Sequence, residues 1–240
     1  MNIFGPFVSP RFGRAIGINN VPANVCTYAC QYCPSGQITE RPFDRRAFYS
    51  PTELVTTLTA KVRAVQRAGN ALDYLTFMPD GEPTLDSNLG QIIELLKPIG
   101  VKIAIITNAS LIWQYRVQKD LLLADWVCLK VDAVQEDIWR NINRPHPSKY
   151  LLPILEGIQE FASLYSRRLV TETTLMQNLN DEENHIVQIA HFLSLLKPHT
   201  AYLSLLGSVS MPFHPPDETI AKRAHQLFTE RLANVEYLSG

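Results

Sequence analysis

No stretch of the 240 residues approaches 18 consecutive apolar positions, so no segment is expected to span a bilayer. No charge of one sign dominates: 22 lysines and arginines stand against 23 aspartates and glutamates. That balance gives no overall basic field to draw in nucleic acid or an anionic membrane. The opening MNIFGPFVSP lacks a charged stretch followed by an apolar run. No secretory signal is expected, and the expected compartment is the cytoplasm. Internal repeats at solenoid periods and low-complexity tracts are absent, which excludes repeat arrays and compositionally biased linkers. Cysteine is scarce, at four residues, and in a reducing compartment few cysteines argue against a disulfide-stapled fold.

What is present is an ordinary globular composition, 46% hydrophobic and 19% charged, long enough to bury a core without staples. Short apolar runs recur, each followed by a longer helical pattern. RAIGINNVP is the first candidate strand. A helix opens at SPTEL, with Ser50 as N-cap, Pro51 at the first helical position and Glu53 completing a capping box, and it stops near Gly69. Further strands are expected at 73–78, 101–108, 126–132, 169–176 and 201–206. Helices are expected near 88–97, 111–123, 153–165, 183–196 and 217–232, with a long polar connection containing NRPHPS ahead of the fourth of these. Six βα units imply a parallel sheet with right-handed crossovers. They fit an open doubly wound sheet or an incomplete barrel, and in both the functional residues gather at the carboxyl ends of the strands.

Three of the four cysteines fall within eight positions, in CTYACQYCPSG (26–36), spaced C-x₃-C-x₂-C. Chance is a poor explanation. A disulfide leaves one of the three thiols out and is disfavoured in the cytosol. A structural zinc wants four ligands, and no second C-x₂-C accompanies this one; the next histidine is His146. Core packing fits badly with Gly, Pro and polar flanks. Three thiolates on one tight loop suit a cubane [4Fe–4S] cluster with one iron left open to an exogenous chelate.

With an aromatic, Tyr32, before the last cysteine, this segment resembles the signature of the radical S-adenosylmethionine superfamily. The resemblance implies that Cys26, Cys30 and Cys33 hold a [4Fe–4S] cluster whose fourth iron takes the amino and carboxylate groups of S-adenosylmethionine. It implies reductive cleavage to methionine and a 5′-deoxyadenosyl radical that abstracts hydrogen from substrate. An external one-electron reductant of flavodoxin or ferredoxin type is implied as a partner. The expected fold is α/β, a partial (β/α)6 TIM-like barrel. It would form one domain over 1–240, with the cluster loop 26–36 after the first strand and residues 1–14 as a short N-terminal extension.

Later strand ends offer matching groups. DGEPTL (80–85) is similar to the superfamily's Gly-Gly-Glu-Pro segment, which receives the cofactor's ammonium, with Asp80 in place of the first glycine. Gly81, Glu82 and Pro83 are thus cofactor-binding candidates, although Gly and Pro also suffice for a plain turn; Glu82 is the residue a turn does not require. Asn108 in TNAS is either a cofactor contact or a cap. On the fourth strand, alternation sets Val127, Leu129 and Val131 against Trp126, Cys128, Lys130 and Asp132. Lys130 and Asp132 are read as a lumen-facing pair near the cofactor, because a buried pair is costly unless hydrogen-bonded or turned to a polar site. Cys128 is read as core. Glu172 and Thr174 share a face of the fifth strand, and Asn178 follows it; Glu172 and Asn178 are candidates for the cofactor's carboxylate or ribose. His214 in PFHPP reads as a surface-loop residue within possible reach of substrate.

From about Gly5 to Pro216, and through GPFVSPRFGRAIGIN in particular, the chain looks like the iron–sulfur oxidoreductase branch related to tRNA wyosine-base synthases. Arg11 and Arg14 belong to that opening, as structural anchors or as contacts for a substrate anion. Wyosine-base synthases carry a second cluster on further cysteines, and none follows Cys128 here, so tRNA modification is not carried over. The alternatives are a glycyl-radical activating enzyme, an RNA- or base-modifying enzyme, and a non-catalytic electron-transfer module. The last usually supplies four cysteines per cluster.

Overall fold

The structure is a computed structural model describing residues 2–33, 35–42, 44–78, 80–205 and 214–239. Its strands are β1 (Asn2–Ser9), β2 (Gly13–Asn19), β3 (Tyr74–Phe77), β4 (Lys102–Thr107), β5 (Trp126–Lys130), β6 (Arg168–Thr174), β7 (Thr200–Leu205) and β8 (Val235–Ser239). Its α-helices are α1 (Pro51–Arg67), α2 (Leu89–Leu96), α3 (Tyr115–Leu121), α4 (Glu136–Asn143), α5 (Leu151–Leu164), α6 (Glu183–Leu196) and α7 (Glu218–Thr229). The strands lie in the sheet in chain order. β1 runs antiparallel to β2, whereas β2–β3, β3–β4, β6–β7 and β7–β8 are parallel.

β2 to β7, each followed by helix, are the six expected βα units. β4 and β5 read as near-continuous apolar runs because both faces of a parallel sheet are covered. The helix at SPTEL forms as its caps require: the Ser50 hydroxyl accepts from the Glu53 amide, Pro51 opens α1, and Leu54, Leu58 and Val62 bury one stripe. Gly69, at φ +77°, ends it.

The sheet is two strands larger than the six units. β1 lies within residues 1–14, read from the sequence as an extension. Phe4 pairs with Gly17 and its ring covers the space a side chain there would take, so an aromatic fills the gap left by a strand glycine. At the other end β8 pairs with β7. The connection after β5 also holds the unexpected helix α4, so that crossover carries two helices. The sixth expected strand reaches Leu205, and its last position, Leu206, lies outside the described residues. Among the described residues no helix is long and apolar enough to cross a membrane.

The residues group into two compact units, one of 1–27, 35–107 and 114–127, the other of 28–34, 108–113 and 128–240. In the first, Arg45 clamps the segment after the cysteines. Its guanidinium donates to the carbonyls of Thr84 and Asp86, both at 2.8 Å, and pairs with the Asp120 carboxylate. Asp86 accepts from the Asn88 amide at 2.9 Å and from Asn20 at 3.3 Å, yet burial still pushes its carboxyl up to about 6. Replacing Arg45 with Met leaves Asp120 without its counter-charge, and breaking a largely buried pair costs about 3–5 kcal/mol. Urea unfolding is expected to register that loss; a stability within about 1 kcal/mol of the parent would show the clamp to be superficial.

Candidate functional site

The first unit holds Cys26 and the DGEPTL segment. The Cys26 amide donates to the Glu40 carbonyl at 3.1 Å. Asn24, at φ +63°, donates its amide to the Asp80 carbonyl at 2.7 Å, and the Glu82 amide donates to the Val25 carbonyl at 3.2 Å. The strand end therefore lies directly against the residues leading into Cys26. A Cβ on Gly81 would fall on the Val25 carbonyl oxygen, so the glycine is required by close backbone approach. Asp80, where the superfamily pattern has glycine, takes part through its backbone carbonyl.

Glu82 is buried, and its carboxylate has a structural task the sequence reading did not foresee. One oxygen, Oε1, accepts from the Thr84 amide at 2.9 Å and from the hydroxyls of Thr84 and Thr107, both at 2.6 Å. It thereby caps the short 3-10 turn Pro83–Leu85 and ties it to the end of β4. Glu82 was expected to be dispensable for a plain turn, but this turn uses it as its cap. Pro83 opens the turn, where a missing amide costs nothing.

The second unit holds Cys30, Tyr32 and Cys33, with the polar ends of β5 and β6. The cysteine loop is strapped to the carboxyl end of α4. The amides of Ala29 and Gln31 donate to the carbonyls of Asn143 (3.0 Å) and Ile142 (2.9 Å), and the Gln31 side chain donates to the Asn141 carbonyl at 2.6 Å. These carbonyls have no partner within the helix itself, so the loop and the helix end complete each other. Trp139 adds an edge contact to Tyr28, its indole N–H donating to the phenol oxygen at 3.2 Å.

The Cys30 sulfur accepts from Asn143 Nδ2 at 3.3 Å. Burial, with Asp132 nearby, pushes the Cys30 thiol up to about 12, while the Asn143 hydrogen bond and Lys130 oppose the rise. Tyr32 is buried, and its hydroxyl donates to Asp132 Oδ2. Burial first, then Asp132, hold that phenol well above its ordinary range.

Lys130 and Asp132 do not pair with each other as expected. Lys130 Nζ lies 3.1 Å from Glu172 Oε1 and 5.1 Å from the centre of the Tyr32 ring. Burial alone would lower the Lys130 pKa; Glu172 and then Asp132 outweigh it, and the ammonium stays charged. Asp132 instead accepts from the Thr174 amide and Asn143 Nδ2, both at 2.9 Å, besides Tyr32. Period-two alternation gave the shared face correctly but not the partners across strands. Tyr32, Lys130, Asp132 and Glu172 thus meet in one network beside Cys30.

Other candidates fall elsewhere. Asn108 is half-buried, its side chain accepting the Ser110 amide at 3.0 Å in the turn where Ala109 has φ +58°. Asn178 is exposed at φ +60°, its amide donating to Asp181. Buried Asn180 carries the structural load there, donating to the carbonyls of Asp132 (2.9 Å) and Thr174 (2.8 Å). Cys128 is fully buried, its sulfur 4.0 Å from Glu172 Oε2. His214 is exposed, and its carbonyl accepts the Gln177 amide at 2.9 Å; the Pro212–Phe213 before it lies outside the described residues. Arg14 is tied to Asn70 and Asp73, which favours the anchoring role. Asn143 and Trp139 were missed because a helix was not expected in that polar connection. A cavity of about 320 Å³, open mouth included, borders this network, lined by Asn108, Lys130, Asp132 and Asn143 together with Tyr28, Trp139 and Ile154.

Residues 20–190 match the model of the radical SAM superfamily. The chain belongs to the radical SAM superfamily. Members of this superfamily bind a [4Fe–4S] cluster and S-adenosylmethionine. A UPF0026 protein of Methanocaldococcus jannaschii is 42% identical over 219 residues, covering 91% of this chain and 66% of that protein. The chain therefore spans about two thirds of that relative's length. Among solved structures, a radical SAM methyltransferase from Sphaerobacter thermophilus matches with a TM-score of 0.70 at 18% identity, over 97% of this chain and 68% of that one. TYW1 with a lysine–pyruvate adduct matches with a TM-score of 0.68 at 18% identity, over 91% and 74%. At such identities the likeness is one of fold, the TIM-barrel-like α/β fold of radical SAM enzymes.

Proposed function

We propose that this radical SAM protein holds one [4Fe–4S] cluster on Cys26, Cys30 and Cys33 and cleaves S-adenosylmethionine reductively to start hydrogen abstraction from a substrate. When bound, the cluster and S-adenosylmethionine together supply a 5′-deoxyadenosyl radical. The observation that carries the reading is the loop itself: three half-buried cysteines at C-x₃-C-x₂-C spacing, two of them on a segment pinned by α4 and one beside the Gly81 approach. The chemistry of the donor set supports the reading. It offers three soft thiolate ligands, one with an N–H donor already on its sulfur, and hydrogen bonds to sulfur are a recognised means of tuning such clusters.

The chain's own residues orient and hold. Tyr32 and Asp132 fix the loop, Glu82 fixes the turn that follows β3, and the Lys130–Glu172 pair puts a charged ammonium beside Tyr32. Tyr32, Gly81, Glu82, Pro83, Asn108, Lys130, Asp132, Glu172 and Asn178 are the proposed S-adenosylmethionine contacts. A flavodoxin- or ferredoxin-type protein is the proposed reductant, and the substrate class stays open between a glycyl-radical protein, RNA and a small molecule.

Anaerobic reconstitution with iron and sulfide, dithionite reduction and addition of S-adenosylmethionine are expected to yield 5′-deoxyadenosine. A cluster that forms but whose spectrum ignores S-adenosylmethionine would turn the reading toward electron transfer, and zinc in place of iron would overturn it.

A further inference from the structure

We propose that Asn143 is a positioning residue that sets the reduction potential of a cluster held on Cys30; this rests on the reading of Cys30 as a ligand given above. Asn143 ends α4 and is buried, with 4% of its surface exposed. Its Nδ2 has two hydrogens and faces two acceptors, Cys30 Sγ at 3.3 Å and Asp132 Oδ2 at 2.9 Å. The amide cannot be reversed without turning its carbonyl oxygen onto a carboxylate and a sulfur, so the donor orientation is fixed by its neighbours.

That orientation is held at several points. Asp132 is anchored through Oδ1 by the Thr174 amide at 2.9 Å and through Oδ2 by the Tyr32 hydroxyl. The Asn143 carbonyl accepts the Ala29 amide at 3.0 Å, one residue before Cys30. Main chain and side chain thus grip the same loop, and the Nδ2 that faces the sulfur is held by its second bond, to Asp132.

A donor aimed at a ligand sulfur withdraws electron density and stabilises the more negative, reduced cluster. Second-sphere hydrogen bonds of this kind are a principal control of iron–sulfur potentials. Asp132 alone, a buried carboxylate near the same sulfur, acts in the opposite direction. Asn143 and Tyr32 spread its charge into hydrogen bonds, and Asn143 adds a dipole of the favourable sign. The residue therefore does for reduction what neither the cysteines nor the carboxylate does.

The test is a redox titration of the reconstituted protein without S-adenosylmethionine, following the reduced cluster by electron paramagnetic resonance. Asn143→Leu, close in volume and lacking the donor, is expected to lower the reduced-to-oxidised ratio at a fixed poise about tenfold. For one electron that places the midpoint about 59 mV more negative. Asn143→Ala, which leaves space instead of bulk, is expected to shift it in the same direction. A wild-type potential in either variant that loads iron overturns the proposal. Failure of both variants to load iron, with the parent loading normally, assigns Asn143 to assembly and also overturns it. Should the parent itself bind no cluster, the reading of Cys30 as a ligand fails instead, so the two failures are distinguishable.

Discussion

Cys30→Ala is expected to abolish iron–sulfur assembly and 5′-deoxyadenosine formation together while leaving the fold in place. Cys30 is half-buried against Tyr32, Ile142 and Met176. Losing its sulfur from this small cluster costs about 1 kcal/mol, a fall in Tm of roughly 2–4 °C for a chain of this size. The loop keeps its attachment to α4, because the bonds from Ala29 and Gln31 are made by the main chain. Iron, by contrast, loses one of only three thiolates, and two cannot hold a cubane with a single open corner. Cys128→Ala is the matching control. That sulfur is fully buried on β5, so its removal is expected to cost stability on the same scale and to leave iron content and product unchanged. Iron content and product yield, measured on both variants beside a thermal melt, decide the matter. Normal iron in Cys30→Ala, or loss of iron in Cys128→Ala, would contradict the assignment of ligands.

Gly81→Ala is the second large effect. The new methyl group falls on the Val25 carbonyl oxygen, which is backbone and cannot swing aside as a side chain would. Val25 precedes Cys26, and its carbonyl already accepts the Glu82 amide. Relief must come from separating the two segments, which lengthens that bond and displaces Cys26. Overpacking of this kind costs about 1–3 kcal/mol, a loss a 240-residue fold tolerates. Catalysis is less forgiving: a misplacement of about 1 Å at reacting groups costs on the order of 100-fold. The rate of 5′-deoxyadenosine formation is therefore expected to fall about 100-fold in a protein that still melts cooperatively. A parent-like rate would mean that the close approach serves packing alone.

β5 and its surroundings mark how far a sequence reaches. Apolar runs punctuated by Gly, Pro and caps made the six βα units legible, since burial on both faces of a parallel strand leaves that record in the residues themselves. The C-x₃-C-x₂-C spacing and the Gly-Glu-Pro step at 81–83 were legible as motifs, since each is a short run of residue types. Alternation likewise put Lys130 and Asp132 on one face. It could not say that Lys130 would pair with Glu172, or that Asp132 would take Tyr32 and Asn143, because those partners come from another strand, the cysteine loop and a helix end and are set by tertiary packing, not by period.

β1 and β8 went unread because an edge strand with a Gly-Pro step or a polar neighbour leaves a weak pattern. α4 went unread because its eight residues sit in a polar connection and are stabilised largely by what they hold. That helix decides most about the loop. Its terminal carbonyls need donors, and the amides of Ala29 and Gln31 supply them. The sequence by itself determined the order of the six βα units, the three cysteines and Gly81. The tertiary structure alone decided which side chains steady those thiols, since hydrogen bonds between distant segments exist only once the chain has brought their donors and acceptors together.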